Sequence, residues 1–268
     1  IASTGTLTNS GSIAVTTTGG TADANDSAEA YAQTYGIISL LDLTNTGDIT
    51  ATASGGTADA NRVADTYASV HGIVSQEGDL INAGTVDVVA TGGTSTSEGR
   101  ARAKAYAYGL DSEGGDVNNT GEITVTVAGG TAVADDNVLA YGDGIGVYAT
   151  SDVNNTGTVD LNVMGGAATA RASIADANSY AYGLQSDTGA IYNTGAIQSM
   201  ATAGTADAND AAYTNAIAYG IHSGGLVDNA GVLTVAGTGG EADANNLASA
   251  EAVAVGIYTP TDVINSDE

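Results

Sequence analysis

The motif Asn-x-Gly returns along the whole chain at nearly constant intervals. Successive copies are 36, 37, 37, 36, 38 and 36 residues apart. They begin at Asn9, Asn45, Asn82, Asn119, Asn155, Asn193 and Asn229. Such a period is the sequence signature of a repeat architecture, in which each unit packs mainly on its two neighbours. The sequence therefore predicts one continuous domain over residues 1–268, built from about seven repeats of 36–38 residues.

Each repeat contains two stretches in which apolar and polar residues alternate. The first follows Asn-x-Gly and is rich in β-branched residues, as in residues 123–127. The second alternates Ala with polar residues or Tyr and ends in Tyr-Gly-Ile or a relative, as in residues 101–110. A period of two predicts strands with opposite faces rather than helices. Arg102 and Lys104 then face solvent, because burying a lone charge is costly, and the Ala row faces inward.

Small side chains limit the kind of interior that these strands can enclose. The chain has no Phe, Trp or Cys, it has 38 Gly, and much of its 43% apolar content is Ala. Such residues suit a narrow interior that is filled again in every layer of a stack. The predicted fold is therefore all-β, a parallel β-helix or β-solenoid, with Gly at the corners.

A second Asn near the middle of most repeats raises the question of how many coils a repeat makes. Asn25, Asn61 and Asn209 each follow the first Asn of their repeat at the same interval, a little under half a repeat. About 18 residues are enough for a coil of three short strands, so we expect two coils per repeat and a rod roughly 70 Å long. One large coil per repeat is the alternative. Amides stacked at the corners can bond from layer to layer. The predicted structural turns are Asn45 with Gly47, Asn82 with Gly84, Asn119 with Gly121, Asn155 with Gly157, and Asn193 with Gly195.

The formal net charge of −26 restricts the partners of the chain. Nucleic acid and anionic membrane surfaces need Lys and Arg, and the chain has five of these residues. The sequence contains no run of 18 apolar residues, so we expect no direct insertion of this segment into a membrane. The acidic surface could attract Ca²⁺ through local oxygen ligands, and this is the only cofactor that the sequence suggests. The candidate ligands are Asp23, Asn25, Asp26, Asp59, Asp207 and Asp243.

No cluster of titratable residues in the sequence indicates catalysis. His71 and His222 lie four repeats apart, and His71 occupies a position that is Tyr in other repeats. We therefore expect that the chain is not an enzyme, with a polysaccharide-active β-helix as the alternative. Four tyrosines share one repeat position and are candidates for contact with glycans or with a neighbouring rod. They are Tyr35, Tyr108, Tyr182 and Tyr219. The alternative is that they cover the thin Ala core from outside.

The combined repeat Asn-Thr-Gly-x-Ile-x-Val, Gly-Gly-Thr-Ala-Asp-Ala-Asn and Ala-Tyr-Gly-Ile resembles the passenger regions of bacterial autotransporter and filamentous-adhesin-like proteins. The resemblance implies a right-handed parallel β-helix exposed outside a Gram-negative cell. The chain starts and stops inside the repeat pattern, so we expect it to be a fragment of a longer protein. The resemblance also implies an extracellular structural or adhesive role, with a subunit of a self-assembling filament as the alternative. The expected partners are other copies of the chain or cell-surface and glycan ligands.

Overall fold

The computed structural model describes residues 1–266 as β-strands joined by short turns. Each strand pairs in parallel with the equivalent strand of the neighbouring repeat, so the chain winds into a stack of turns, a β-solenoid. The all-β prediction is confirmed. Among these residues there is no helix that is long and apolar enough to cross a membrane.

Each complete turn contributes one strand to each of four parallel sheets. The long sheet contains Ala2–Ser3, Ser27–Ser39, Val63–Ser75, Arg100–Ser112, Val138–Ala149, Ile174–Ser186, Ala211–Ser223 and Leu247–Tyr258. The Asn sheet contains Leu7–Asn9, Leu43–Asn45, Leu80–Asn82, Val117–Asn119, Val153–Asn155, Ile191–Asn193, Val227–Asn229 and Val263–Asn265. The seven-residue sheet contains Ile13–Thr18, Asp48–Ser54, Thr85–Thr91, Glu122–Ala128, Thr158–Met164, Ala196–Thr202 and Val232–Thr238. The four-residue sheet contains Thr21–Ala24, Thr57–Ala60, Thr94–Ser97, Thr131–Ala134, Ala167–Ala170, Thr205–Ala208 and Glu241–Ala244.

One repeat makes one turn, so the prediction of two coils per repeat is wrong. Ala28 is the register partner of Ala64, which is in turn the partner of Ala101. About a third of each repeat forms one long strand that spans the width of the turn, and the midway residues Asn25 and Asn61 lie in the exposed loop before that strand. Seven intervals between turns give a rod about 34 Å long at a layer spacing of about 4.8 Å.

A ladder of side-chain amides runs along the Asn sheet. Nδ2 of each corner Asn donates to Oδ1 of the Asn in the next turn at 2.7 to 2.9 Å, from Asn9 to Asn265. The same Nδ2 also donates to the carbonyl oxygen of the Gly two residues later, as from Asn45 to Gly47 at 3.0 Å. The interior members of the ladder are almost completely buried. Each buried amide is therefore satisfied only when successive turns are in register.

Glycine is required at these corners because successive turns approach closely. Left-handed backbone is not the reason, because residues 1–266 contain no positive φ angle. A Cβ placed on Gly121 would instead collide with the carbonyl oxygen of Gly84 and would lie 2.8 Å from Nδ2 of Asn82. The same collision recurs at Gly47, Gly84, Gly157 and Gly195.

The interior is wide at one end of each turn and narrow at the other. The wide part is filled by branched side chains such as Ile37, Leu43 and Ile49. The narrow part, between the long and four-residue sheets, is filled almost entirely by Ala, such as Ala101 and Ala132. The long strand forms one wall of both parts, so its inward residues are small where the two walls are close together. Its outward residues form a broad flat surface.

Inward residues on facing walls compensate for one another in size. The fourth complete long strand has Gly142 and Gly144 where neighbouring strands have Ala or Ser, and it faces Leu161 and Val163. A Cβ on Gly144 would lie 2.7 Å from a methyl group of Val163 and 2.8 Å from one of Leu161. Overfilling a packed interior is destabilising, so the Gly residues accommodate the larger opposite side chains.

We predict that Asn119→Ala destabilises the rod by about 2–4 kcal/mol, because Nδ2 of Asn82 and Oδ1 of Asn155 both lose their partner in the buried ladder. The measurement is urea-induced unfolding followed by circular dichroism. The matched control is Asn118→Ala, which removes an outward-facing amide from the same strand. We expect a change within about 0.5 kcal/mol for the control. Equal effects of the two substitutions would show that the ladder does not stabilise the stack.

Candidate functional site

The outward surface of the long sheet carries nearly all the aromatic residues, and we call it the aromatic face. Of the 13 tyrosines, all but Tyr192 lie on long strands, and so do His71 and His222. Most of them occupy the positions that alternate with buried Ala, as Tyr106 does between Ala105 and Ala107. The four tyrosines predicted as contact residues, Tyr35, Tyr108, Tyr182 and Tyr219, stand in one column along the rod.

A Gly follows this column in every long strand and reverses the alternation of faces. Tyr108 points outward and Leu110 points inward, with Gly109 buried between them. A Cβ on Gly109 would lie 2.5 Å from a methyl group of Ile123 and from the carbonyl oxygen of Gly146, so only Gly fits. As a result Tyr108 and Asp111 are both on the outward surface, which simple alternation would not allow.

Two rows of rings follow the rod axis on this face. The first row passes through Tyr31, Tyr67, Tyr106, Tyr141 and Tyr180, with successive ring centroids 5.2, 6.1, 5.5 and 5.4 Å apart. These are the distances at which aromatic rings attract one another. The row therefore crosses five turns without a gap.

The second row contains the four predicted tyrosines and is interrupted once. His71 is stacked between Tyr35 and Tyr108, at centroid distances of 5.0 and 4.7 Å. Ile145 occupies the next position of the column. Stacking resumes with Tyr182 and Tyr219 at 5.2 Å. The second row thus has two segments, one on either side of Ile145.

Some charged groups on the face contact groups of the neighbouring turn. The Arg102 guanidinium donates to both carboxylate oxygens of Asp65, and this contact raises the pKa of Arg102. Nδ1 of His71 lies 3.0 Å from Oδ2 of Asp111. The Lys104 ammonium lies 5.3 Å from the centroid of the Tyr67 ring, within the range of cation–π attraction.

Asp143 is a carboxylate of the face that is held among the rings. It lies between Tyr106 and Tyr180 in its column, and the hydroxyl of Tyr141 donates to its Oδ2 at 3.0 Å. Its other oxygen, Oδ1, is enclosed and has no partner among residues 1–266. Desolvation raises the pKa of Asp143 to about 6, against the smaller opposing effect of the Tyr141 hydroxyl.

Burial holds several phenols of the face in their protonated form at neutral pH. Burial raises the pKa of Tyr108 to about 12, and burial is also the largest cause of the raised pKa values of Tyr106, Tyr141 and Tyr182. The hydroxyls of Tyr106, Tyr108 and Tyr182 can therefore donate a hydrogen bond to a ligand, whereas that of Tyr141 already donates to Asp143. The face offers apolar ring surfaces together with neutral donors and a small number of carboxylates.

The residues predicted as Ca²⁺ ligands lie away from this face, on the four-residue sheet and the loop that follows it. Asp23 is the register partner of Asp59, and Asp207 is the partner of Asp243, so these carboxylates are one layer apart rather than the two layers expected from two coils per repeat. Asp26 forms an exposed ion pair with Arg62 at 3.1 Å. Within residues 1–266 no group of three or more His, Cys, Asp or Glu is arranged to hold a metal ion. Ca²⁺ binding stays a prediction.

Several residues of the face were not singled out from the sequence. Asp111, Asp143 and Tyr148 join the tyrosines only because the long strands pair in one register. The signal that could have found them was the repeat itself, read at one turn per repeat and with the alternation reversed at each Tyr-Gly. The predicted corner residues Asn45, Asn82, Asn119, Asn155 and Asn193 are buried in the ladder and are not available to a ligand.

Comparison of the chain with protein-family models, curated proteins and solved structures finds no match.

We predict that Asp143→Asn stabilises the protein at pH 7 by about 2–3 kcal/mol and has a much smaller effect near pH 4. The raised pKa means that folding favours the neutral acid, so the wild type loses stability as pH rises from about 4 through about 6. An amide keeps the neutral form at every pH. The measurement is urea unfolding of both proteins at four pH values across this window. A difference between the proteins that does not vary with pH would contradict the buried, unpaired carboxylate.

Proposed function

We propose that this chain is an extracellular structural and adhesive segment of a bacterial surface protein, and that the aromatic face is its contact surface. The observation that carries the proposal is the collection of all tyrosines except Tyr192 on one side of the rod. The resemblance of the repeat to the passenger regions of bacterial surface proteins supports the extracellular location.

The face is suited to binding because its rings are already held in place. Tyr35, His71 and Tyr108 are stacked nearly parallel, with interplanar angles of 19° and 2°. A ring that is fixed before binding loses little conformational entropy when a ligand covers it. Planar or ring-shaped ligands such as sugars stack on aromatic surfaces, and the phenol hydroxyls can donate to their oxygens. Both rows of rings extend over several turns, so an extended ligand could make several equivalent contacts.

The proposed role is binding rather than catalysis. Four titratable groups of the face are engaged in pairs, His71 with Asp111 and Arg102 with Asp65. The net charge of −26 favours a soluble and separated rod. A rod of stacked turns also acts as a spacer, because its length grows with each repeat.

A subunit of a self-assembling filament is the second candidate, and the polarity of the Asn ladder favours it. Every amide of the ladder donates in the same direction along the rod, from Asn9 towards Asn265. A further turn from any source can therefore extend the ladder in one orientation only, which specifies head-to-tail growth. Long fibres of the purified protein in electron micrographs would favour this candidate, and short single rods would favour the first.

We predict that the combined substitution of Tyr35, Tyr182 and Tyr219 by Ala weakens attachment of the protein to glycan-coated surfaces or host cells at least tenfold. Each substitution removes a ring from the second row. Aromatic side chains such as Tyr contribute most of the binding energy at many protein contact surfaces. The measurement is binding of the labelled protein to a glycan array and to cultured cells.

The matched control for this experiment is Tyr192→Ala, which removes an exposed tyrosine from the Asn sheet on another side of the rod. We expect binding of this control to equal that of the wild type. Circular dichroism spectra and melting temperatures show whether both variants keep the fold. Equal binding by the wild type and the folded triple variant would exclude the aromatic face as the contact surface.

A further inference from the structure

The interruption of the second aromatic row leaves a cleft. Ile145 is short compared with the rings of Tyr108 and Tyr182 that flank it in its column. The space beside it is an open cleft of about 490 Å³, with Ile145 at its base. Tyr108, Tyr148 and the imidazole ring of His71 line it, and they are the aromatic surfaces that a ligand in the cleft would meet.

Three carboxylates surround this cleft. Glu113 and Asp187 are exposed at its rim, and Asp187 accepts a hydrogen bond from the Tyr148 hydroxyl at 2.7 Å. Asp111 lies deeper and is 6% exposed. Oδ2 of Asp111 contacts Nδ1 of His71, whereas Oδ1 takes part in no hydrogen bond among residues 1–266 and is not fully enclosed. The cleft thus contains a buried carboxylate with one oxygen free to accept.

We propose that the cleft binds the guanidinium group of an arginine side chain from a basic partner protein. A planar guanidinium stacks on tyrosine rings and donates in a fork to carboxylates, so it uses both kinds of surface at once. Contacts between a guanidinium and a carboxylate are charge-assisted and are stronger than neutral hydrogen bonds. The negative field of the whole chain, with a net charge of −26, attracts a basic partner. The inference rests on the proposed function in that the cleft belongs to the aromatic face.

The charge of the cleft favours arginine over a neutral sugar. A sugar would stack on Tyr108 or Tyr148, but it would not compensate the three carboxylates. A cation that enters the cleft gains from each of them, and its binding should weaken as salt screens the charges. The two ligands therefore differ in their dependence on ionic strength and on the carboxylates.

The test uses a fluorescent peptide in which three Arg residues alternate with Gly, and its binding is measured by fluorescence anisotropy at low and moderate salt. A second peptide carries citrulline in place of Arg, which keeps the planar shape and removes the charge. We expect the citrulline peptide to bind at least tenfold more weakly. Equal binding of the two peptides would overturn the proposal.

Two variants of the protein separate the cleft from the general acidity of the rod. Ile145→Tyr fills the cleft and keeps every charge, and we expect at least a tenfold loss of affinity for the Arg peptide. Asp187→Asn combined with Glu113→Gln removes two rim charges and should cause a similar loss. The matched control is Asp23→Asn combined with Asp59→Asn, which removes two adjacent charges from the four-residue sheet. We expect a change of less than about twofold for this control.

The outcomes separate this inference from the proposed function. Equal losses in the rim variant and in the control would mean that the peptide senses net charge alone, which overturns the cleft. Unchanged affinity in a folded Ile145→Tyr variant, checked by its melting temperature, would do the same. Either result leaves attachment through Tyr35, Tyr182 and Tyr219 to be judged by its own binding experiment. A neutral oligosaccharide that displaces the Arg peptide with no dependence on salt would assign the cleft to sugars and contradict the proposal.

Discussion

A buried hydrogen bond between side-chain amides joins every turn of this protein to the next, and the rest of the structure depends on the register that it fixes. A slip of one residue would leave donors and acceptors of the ladder unpaired in the interior. Differences in repeat length are therefore confined to loops beside the long strand. Three residues separate Ser39 from Leu43, whereas four separate Ser75 from Leu80, and the pairing of both strands is unaffected.

The aromatic face is a consequence of the same register. Rings that are a whole repeat apart in the chain come within stacking distance because the long strands align without a shift. The thin Ala interior leaves the larger side chains on the outside, where they form the aromatic face. Asp143 shows that this surface is not optimised for stability alone, because its carboxylate is held among rings with one oxygen unpaired. A local loss of stability of this kind is typical of surfaces that serve a function.

Much of the fold could be predicted from the sequence, because a repeat states the same information many times. The alternation of Ala with Arg102 and Lys104 indicated which side of the long strand is buried, and the Asn period predicted the stack. The number of turns was misjudged because Asn25 and its equivalents imitate a second corner, while only the pairing of Ala28 with Ala64 shows one turn per repeat. The cleft could not be predicted, because it exists only where Ile145 occupies a position that carries an aromatic ring in the neighbouring turns.

The claim that one repeat is one turn is tested most directly by comparing two deletions for cooperative thermal unfolding. Removing residues 83–119 takes out one whole repeat, with one strand from each of the four sheets, and it joins Asn82 to Thr120 in the ladder sequence. We predict that this shorter protein folds and melts cooperatively, with a rod shorter by about 4.8 Å. We also predict that removing residues 83–100, half a repeat, abolishes cooperative melting. A cooperative transition in the half-repeat deletion, or none in the whole-repeat deletion, would contradict one turn per repeat.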